Sequence, residues 1–435
     1  MQIKDIARES DGTRQEIVLT LVADTDEVKK SIDTFFNDIS RREIPGFRKG
    51  KAPRAILEQS VGGHANAMGG VAEVLINEYA LAAIDDSGYI FLTEPTFNVD
   101  EMVEEGKPFA FTVSGEVAPE MKLTSYDPVS IEMPPEDPTD KEVEDQIRAL
   151  QDYYHSFENI EDEAHAAAMG DYVMTDLTVS DADSGRLISG MNKARRLIGL
   201  GEGTMPDSFD EKIVGAKKGD KLEFDFEAKD EEGNSEHGSG NLHAIVDVLG
   251  FRKCIIPEVD DKLAEKVGCV DVEDMRKQLR QTIAMQKAKE LPKLKVDRSI
   301  DALLERLDGD VPEYYVDFIR QDVAREFMQS LQENGTNLQE WMLQNAVQGD
   351  EMKDEISQES QRRAAIDCAL EALFAEKNLE ITEDDINAMF GGDDPMSVRA
   401  EWEQAHRMAN IMKMCRQHKA TQWLAENAQV TVVED

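Results

Sequence analysis

Residues 41–54 read RREIPGFRKGKAPR and carry a net charge of +5, because six Lys and Arg residues are accompanied by a single Glu. The whole chain is strongly acidic, since its 435 residues include 48 Lys and Arg, 90 Asp and Glu, and a net charge of −42. A negative field of that size repels nucleic acids, so a general nucleic-acid-binding protein is disfavoured and a DNA partner is not expected. The short basic stretch is the local exception to this charge.

Two glycines, Gly46 and Gly50, flank the residues Phe47, Arg48 and Lys49. Glycine permits tight, exposed turns, and a basic loop with an aromatic tip suits docking on an acidic or phosphate-rich surface. The same residues are equally compatible with an ordinary charged loop between helices, in which Phe47 is turned into the core.

The residues before this stretch predict a strand followed by a helix. Arg14–Ala23 (RQEIVLTLVA) alternates apolar and polar residues, which is typical of a half-buried strand. Asp24 and Glu27 then have the D-x-x-E spacing of a capping box. The apolar face of the predicted helix, which ends before Pro45, consists of Val28, Ile32, Phe35, Phe36 and Ile39.

The residues after this stretch predict more helix and a closing strand. Pro53 is placed to be the first residue of a second helix, and Ala67–Ala83 contains another apolar helical face. Alternation returns from Phe109 to Val117. A small two-layer α+β domain follows if the first and last of these strands pair.

The middle of the chain changes character twice. Lys122–Met133 is strand-like, PPEDPTD at 134–140 breaks the pattern, and Lys141–Phe157 has helical spacing. Residues 170–250 are rich in glycine and contain short alternating runs. They predict a compact, mostly antiparallel sheet with one short helix at Phe209–Ile213.

The spacing from about residue 257 to residue 430 is helical throughout, and no fixed-period repeat indicates a solenoid. The polar segment Asp350–Arg363 is predicted to form an exposed arm or an outer face. Prolines are expected at the breaks between helices, at Pro257, Pro292, Pro312 and Pro395.

The sequence does not support a metal or cofactor site, a membrane partner or secretion. The four cysteines lack a C-x-x-C spacing and the seven histidines lack an H-x-x-x-H pair, so no metal site or cofactor is expected. No stretch approaches the ~20 apolar residues that cross a bilayer, so no membrane partner is expected. The first ten residues, MQIKDIARES, lack the apolar region of a secretory signal. The expected location is the cytoplasm.

A family resemblance rests on the residues quoted above. IPGFRKGKAP, Ile44–Pro53, resembles the ribosome-docking signature of bacterial trigger factors. Val117–Pro134 (VAPEMKLTSYDPVSIEMP) is similar to the exit from the first domain of that family. The segment 170–250 lies where the family inserts an FKBP-like domain, and a long helical region follows.

The resemblance implies a multidomain α+β fold with four parts. Residues 1–120 would form an N-terminal ribosome-binding domain and 121–169 a linker strand and helix. Residues 170–250 would form an FKBP-like antiparallel sheet domain with a short helix. Residues 251–435 would form an all-helical chaperone domain with arms that binds substrates.

The implied function is that of a trigger factor-like, ATP-independent chaperone that docks at the ribosomal exit site and shields nascent chains. The absence of a G-x-x-x-x-G-K-[ST] loop agrees with this function. The implied partners are the large ribosomal subunit near the exit tunnel, through protein and rRNA, and unfolded nascent polypeptides. A weak homodimer is also compatible with the family.

Site residues are carried over by position. Phe47, Arg48 and Lys49 would contact the ribosome, Gly46 and Gly50 would shape the loop, and Lys51 would add charge. In the helical region, methionines would supply adaptable apolar surface for unfolded chains.

The resemblance also implies a peptidyl-prolyl cis-trans isomerase, in which an aromatic-walled pocket would bind the prolyl ring and favour the twisted amide. The pocket aromatics are largely replaced here, and Asn234–Asn241 (NSEHGSGN) replaces a longer loop that normally carries a Tyr. Weak or absent isomerase activity is therefore expected, with Phe209 as the one clear aromatic that is kept. The residues placed at the prolyl pocket are Leu177, Leu187, Met205, Phe209 and Ile245, the last of these to within one residue of register.

Two alternatives stand beside this interpretation. The first is a free cytosolic prolyl isomerase whose helical domain recruits unfolded substrates, and proline-peptide turnover would distinguish it. The second is a periplasmic chaperone of the parvulin or SurA type, which the lack of a signal sequence does not support.

Overall fold

The computed structural model describes residues 1–10, 14–188, 191–227, 241–344, 349–391 and 394–433. The chain divides into two units. The first unit consists of Met1–Pro134 and Leu291–Asp435, and the second consists of Pro135–Glu290.

An antiparallel sheet with three helices begins the first unit. The strands, in the spatial order β1-β2-β4-β3, are β1 (Gln2–Ser10), β2 (Gln15–Ala23), β3 (Thr96–Asn98) and β4 (Phe109–Glu116). The helices are α1 (Thr25–Ser40), α2 (Arg54–Ser60) and α3 (His64–Asp86), and the short strand β5 (Ser130–Met133) follows β4 along the chain. The predicted strand and helices are thus present, and β2 pairs with β4 as expected, with Leu19 opposite Val113.

The predicted core face and helix start are confirmed. Ile17, Leu19 and Leu21 on β2 have no exposed surface, and they pack against α1 and α3 in one core. At the start of α1 the Asp24 carboxylate accepts the Glu27 N–H, and the Glu27 carboxylate accepts the Asp24 N–H. This reciprocal cap satisfies two donors that the helix start leaves unpaired.

No segment was expected to be long and apolar enough to cross a bilayer, and helix α3 corrects that expectation. It is long and apolar enough to cross a membrane by length and composition, with a mean hydropathy of 1.3 over 18 residues. Core helices of globular proteins meet the same two conditions, and Met68, Val71 and Leu75 of this helix are buried under the sheet. In this structure the apolar composition of α3 therefore serves the packing of the first unit.

Two local predictions around this sheet were incomplete. Strand β1 was missed, because its residues are mostly exposed at the sheet edge and lack apolar alternation. Pro53 lies at the N-cap of α2 and not at its first helical position. The strand-like run Lys122–Met133 becomes a strand only at β5, because Lys122 and Thr124 instead exchange main-chain hydrogen bonds with residues 306–308.

The second unit contains the predicted antiparallel sheet. Its elements are α4 (Asp140–Tyr153), β6 (Ser156–Asn159), β7 (Tyr172–Asp181), β8 (Ala194–Gly199), α5 (Asp207–Ile213), β9 (Lys221–Glu227), β10 (Asn241–Ile255), α6 (Asp261–Lys266) and the first part of α7 (Val272–Leu304). The strand order is β6-β10-β7-β8, and β9 also pairs with β10. The predicted short helix is α5.

Two helix boundaries differ from the predictions for physical reasons. The helix predicted at Lys141–Phe157 ends at Tyr153, because Ser156–Asn159 pairs with the end of β10 instead. Pro292 was predicted at a break and lies inside α7. Proline in a helix costs about 3 kcal/mol or more, and the packing of Leu291 and Leu294 against the core of the first unit offsets this cost.

The C-terminal part of the first unit is helical, in the region where helices were predicted. The helices are α8 (Glu313–Glu333), α9 (Leu338–Gln344), α10 (Gly349–Glu376), α11 (Glu383–Ala388), α12 (Pro395–Gln404) and α13 (Met408–Asn427), followed by one strand, β11 (Gln429–Val432). The strand, which was not predicted, pairs in parallel with β5. Residues 350–363 of α10 are mostly exposed, as expected.

A buried ion pair joins three of these helices. The hydroxyl of Tyr315, which has no exposed surface, donates to the Asp367 carboxylate, and Lys413 Nζ lies 2.5 Å from the same carboxylate. Burial and the neighbouring carboxylate raise the pKa of Tyr315, so its hydroxyl stays a donor.

Replacing Lys413 by Met should lower the free energy of unfolding by about 3 kcal/mol, because the buried Asp367 carboxylate would lose its counter-charge. Tyr315→Phe keeps the ion pair and should cost less, about 1.5–2 kcal/mol for one hydrogen bond to a charged group. Urea denaturation followed by circular dichroism measures both values, and equal losses would show that the ion pair is not the dominant contact.

A second buried carboxylate lies in the second unit. Asp210 on α5 has no exposed surface; its Oδ2 accepts the Gly201 N–H at 2.8 Å, and its Oδ1 has no partner among the described residues. Burial raises the pKa of Asp210, and the charge of Asp207 adds to the effect. The folded state therefore holds this proton to a higher pH than the unfolded state does.

Asp210→Asn should increase the free energy of unfolding at pH 7, because the wild type must bury a charged carboxylate there. A carboxyl group whose pKa is raised by folding contributes stability that is lost as pH rises. The extra stability of Asp210→Asn over the wild type should therefore vanish below pH ~4, where Asp is protonated in both the folded and the unfolded state. Urea denaturation of both proteins at pH 3.5 and pH 7 tests this. The prediction is contradicted if the variant is less stable than the wild type at pH 7, or if the two proteins differ in the free energy of unfolding by the same amount at both pH values.

Candidate functional site

The basic stretch begins with a tight turn at Ile44–Phe47. The Phe47 N–H donates to the Ile44 carbonyl at 3.1 Å, and Gly46 has a φ of 84°. Pro45 before a glycine of positive φ is the pattern of a type II turn. A side chain at position 46 would cost roughly 1–2 kcal/mol, because the left-handed region is unfavourable for other residues.

A second turn follows at Arg48–Lys51. The Lys51 N–H donates to the Arg48 carbonyl at 2.9 Å, and Gly50 has a φ of 75°. The Gly50 N–H also donates to the Ser40 carbonyl at 2.8 Å, at the last residue of α1. This bond fastens the two turns to the end of the helix.

The two apolar residues of the stretch have opposite positions. Ile44 is 8% exposed and belongs to the core of the first unit, whereas Phe47 is 41% exposed. The ring of Phe47 is therefore at the surface and not in the core. Ile44 acts as the anchor from which the two turns project.

Four cations of the stretch are exposed and form no ion pair with any residue that the structure describes. They are Arg42, Arg48, Lys49 and Lys51. The two cations at the ends of the stretch differ: Arg41 lies 3.7 Å from Asp38, and Arg54 pairs with Glu58 and Glu105. The unpaired charge is thus concentrated around Phe47, on a chain whose net charge is −42.

The five residues predicted for a prolyl pocket do not all lie in one place in the structure. Phe209 and Leu177 are buried, and the partly buried Met205 packs against the same core. Leu187 and Ile245 are 49% and 45% exposed. Ile245 lies on the opposite face of β10 from its buried neighbours, so a shift of register by one residue would be needed to reach the core.

Sequence reasoning missed two aromatic residues beside Phe209. The rings of Phe224 and Phe226 on β9 lie 5.3 and 5.1 Å from the Phe209 ring, so Phe209 is not alone as an aromatic in this core. The signal was present in LEFDFE at 222–227, where two Phe residues stand two positions apart in a strand pattern. The predicted loop replacement at Asn234–Asn241 falls, up to residue 240, outside the described residues.

A cavity of about 360 Å³ lies in the first unit, at the end of α3 and the start of α13. Asp85 accepts the N–H groups of Met408 and Ala409 and so caps α13. Met408 and Met412 contribute apolar lining. Most of the other lining side chains are charged, among them Asp86, Glu403 and Arg416, and both Met residues also pack against the buried cluster around Ile411.

Comparisons with known proteins agree along most of the chain. The family model for the bacterial trigger factor protein matches residues 6–150, and the model for the trigger factor C-terminus matches residues 271–426. A trigger factor of Bacillus mycoides is 27% identical over 423 residues, covering 94% of this chain and 97% of the relative. A trigger factor of Bacillus cereus is 26% identical over 421 residues, with the same coverage.

A solved structure from a study of the trigger factor chaperone has 19% identity and a TM-score of 0.42, over 97% of this chain and 99% of that one. Together the two matching family models span more than half of the sequence. The chain therefore belongs to the bacterial trigger factor family, and it is a ribosome-associated chaperone.

Proposed function

We propose that residues 44–51 are the part of this chaperone that contacts the large ribosomal subunit beside the exit tunnel. Phe47, Arg48 and Lys49 would make the contact, Lys51 would add charge, and Gly46 and Gly50 would hold the turns. The observation that carries the proposal is the exposed Phe47 ring among unpaired cations, on a chain that is acidic elsewhere.

Charge and shape have separate roles in this proposal. The unpaired cations would attract rRNA phosphates or acidic side chains of ribosomal proteins. Elsewhere the negative chain would be repelled by RNA, so one orientation would be favoured. The Phe47 ring would then lose its exposed surface in the contact, which adds an apolar anchor to the charge.

The remaining parts of the chain would serve the clients. In the proposed division, residues 1–120 bind the ribosome, 121–169 connect, 170–250 form the FKBP-like domain, and 251–435 bind unfolded chains in the cytoplasm. Clients would meet adaptable methionine surface, of which the exposed Met328, Met396 and Met414 are examples. A weak homodimer remains a prediction.

The isomerase activity of the second unit would be feeble. Leu177 and Phe209 are packed into the core, where they are not open to a prolyl ring, and Leu187 and Ile245 are exposed apart from that core. The Phe209, Phe224 and Phe226 cluster supports the sheet. A free prolyl isomerase is not favoured as the main function, because the matched family models cover residues 6–150 and 271–426, outside the FKBP-like segment.

Changing Phe47, Arg48 and Lys49 together to Ala should abolish co-sedimentation with bacterial ribosomes. Thermal unfolding should be unchanged, because all three side chains are exposed. The matched control changes an exposed aromatic residue and two exposed cations of α4 to Ala: Tyr153, Arg148 and Lys141. Wild-type binding should weaken as salt rises, and equal binding by the two variants would contradict the proposed contact.

Turnover of a proline-containing tetrapeptide should barely exceed the uncatalysed rate, which has a time constant of tens to hundreds of seconds at 25 °C. Leu187→Phe and Ile245→Phe should not raise it, because both side chains lie outside the core. A protease-coupled assay gives the rates. An increase of about tenfold or more in either variant would show that these positions face a working prolyl pocket.

A further inference from the structure

The strands β5 and β11 form a sheet with an open edge. They pair in parallel with Val430 beside Ile131 and Val432 beside Met133. The Gln429 N–H donates to the Val129 carbonyl at 2.7 Å, and the Val433 N–H donates to the Met133 carbonyl at 2.9 Å.

The direction of the remaining main-chain groups follows from this ladder. Successive residues of a strand direct their N–H and C=O groups to opposite sides. Because Gln429 and Val433 bond toward β5, Val430 and Val432 direct theirs away from it. Within the described residues β11 has no second neighbour strand, so these N–H and C=O groups lie on an open edge.

The side chains of the same two residues extend an apolar face. Ile131 and Met133 are each 5% exposed and belong to the core that β5 shares with α10 and α13. Paired residues in a sheet point to the same face, so Val430 and Val432 continue that face outward. They are 43% and 61% exposed, and a further strand beside β11 would cover them.

Most other edge strands of this protein carry charged residues, whereas β11, like the three-residue strand β3, carries none. The outermost strands β1, β8 and β9 contain Lys or Arg residues, and β1 and β9 contain acidic residues as well. Charged side chains on an edge strand hinder the addition of another strand. The sequence of β11, QVTV, has no charged residue and consists largely of β-branched residues.

We propose that the open edge of β11 is a client-binding site that takes an extended segment of an unfolded polypeptide as a third strand. This inference rests on the chaperone function and specifies which feature of a client the open edge would bind. The segment would alternate β-branched apolar residues with polar ones, so that its apolar side chains cover Val430 and Val432. Main-chain hydrogen bonds are the same for every sequence, which suits a chaperone with many clients.

The short length of the edge sets the strength of the contact. Only two residues, Val430 and Val432, offer outward main-chain groups, so one segment would be held weakly and released without ATP. A second copy of this chain, paired through its own β11, is the competing occupant. Peptide titration and sedimentation distinguish a client segment from a second copy as the occupant of the edge.

The probe is a fluorescein-labelled peptide, KVTVTVK, titrated with the full-length protein and followed by fluorescence anisotropy. Val432→Pro removes the outward N–H, and proline is tolerated on an edge strand where that group faces solvent. The variant should bind the peptide at least about tenfold more weakly than the wild type. Val432→Thr keeps the N–H and is the matched control, so it should bind more tightly than the proline variant.

A second pair of reagents keeps the test decisive if proline disturbs the fold. Replacing Val430 and Val432 by Lys changes only exposed side chains and should also weaken binding about tenfold. The same peptide N-methylated at every Val and Thr, so that neither of its edges can donate, should bind more weakly to the wild type. Circular dichroism confirms that each variant is folded.

Three results would overturn the proposal: no binding of the peptide by the wild type, equal binding by the folded edge variants, or equal binding of the N-methylated peptide. A wild-type dimer in sedimentation that the edge variants abolish and the peptide does not displace would assign the edge to a second copy. Ribosome co-sedimentation of the edge variants should equal that of the wild type. Loss of ribosome binding by the wild type itself would instead refute the proposed function.

Discussion

The hydrogen bond from the Gly50 N–H to the Ser40 carbonyl links the basic loop to the rest of the first unit. It satisfies a carbonyl that the end of α1 leaves unpaired, so helix end and loop stabilise each other. Helix α1 is held in turn by Val28 and Ile32 in the core beneath the sheet. The backbone of the loop is therefore fixed to the end of a packed helix, so little backbone entropy would be lost when the loop binds.

The acidity of the chain gives this fixed loop its significance. On a neutral protein four exposed cations would be ordinary, but here the net charge is −42 and nonspecific adhesion to RNA is opposed elsewhere. If the loop makes the proposed contact with the ribosome, other surfaces would be left free for clients. Exposed methionines such as Met396 and the open edge of β11 would offer two kinds of weak contact, one adaptable and apolar, the other made through the main chain. Neither requires a nucleotide.

Local signals made much of the fold and the loop predictable. Alternation in β2, the capping box at Asp24 and the glycines of the loop each act within a few residues. Contacts between distant residues were not predictable in this way. Pro292 lies within a helix because distant packing offsets its cost, and β11 forms only because β5, about 300 residues earlier, pairs with it. The exposed position of Ile245 likewise depends on strand register, which one sequence leaves open by a residue.

The salt dependence of ribosome binding tests whether the cations of residues 44–51 contact ribosomal phosphates. Each cation that contacts a phosphate makes the plot of log K against log salt steeper. The affinity of the wild type, of Arg48→Gln and of Arg54→Gln is measured over a series of salt concentrations. Arg48 forms no ion pair with any residue that the structure describes, whereas Arg54 is paired with Glu58 and Glu105. We expect Arg48→Gln to make the negative slope of log K against log salt shallower by roughly 0.7–0.9, and Arg54→Gln to leave the slope unchanged. Equal slopes for all three proteins would contradict the proposed contact.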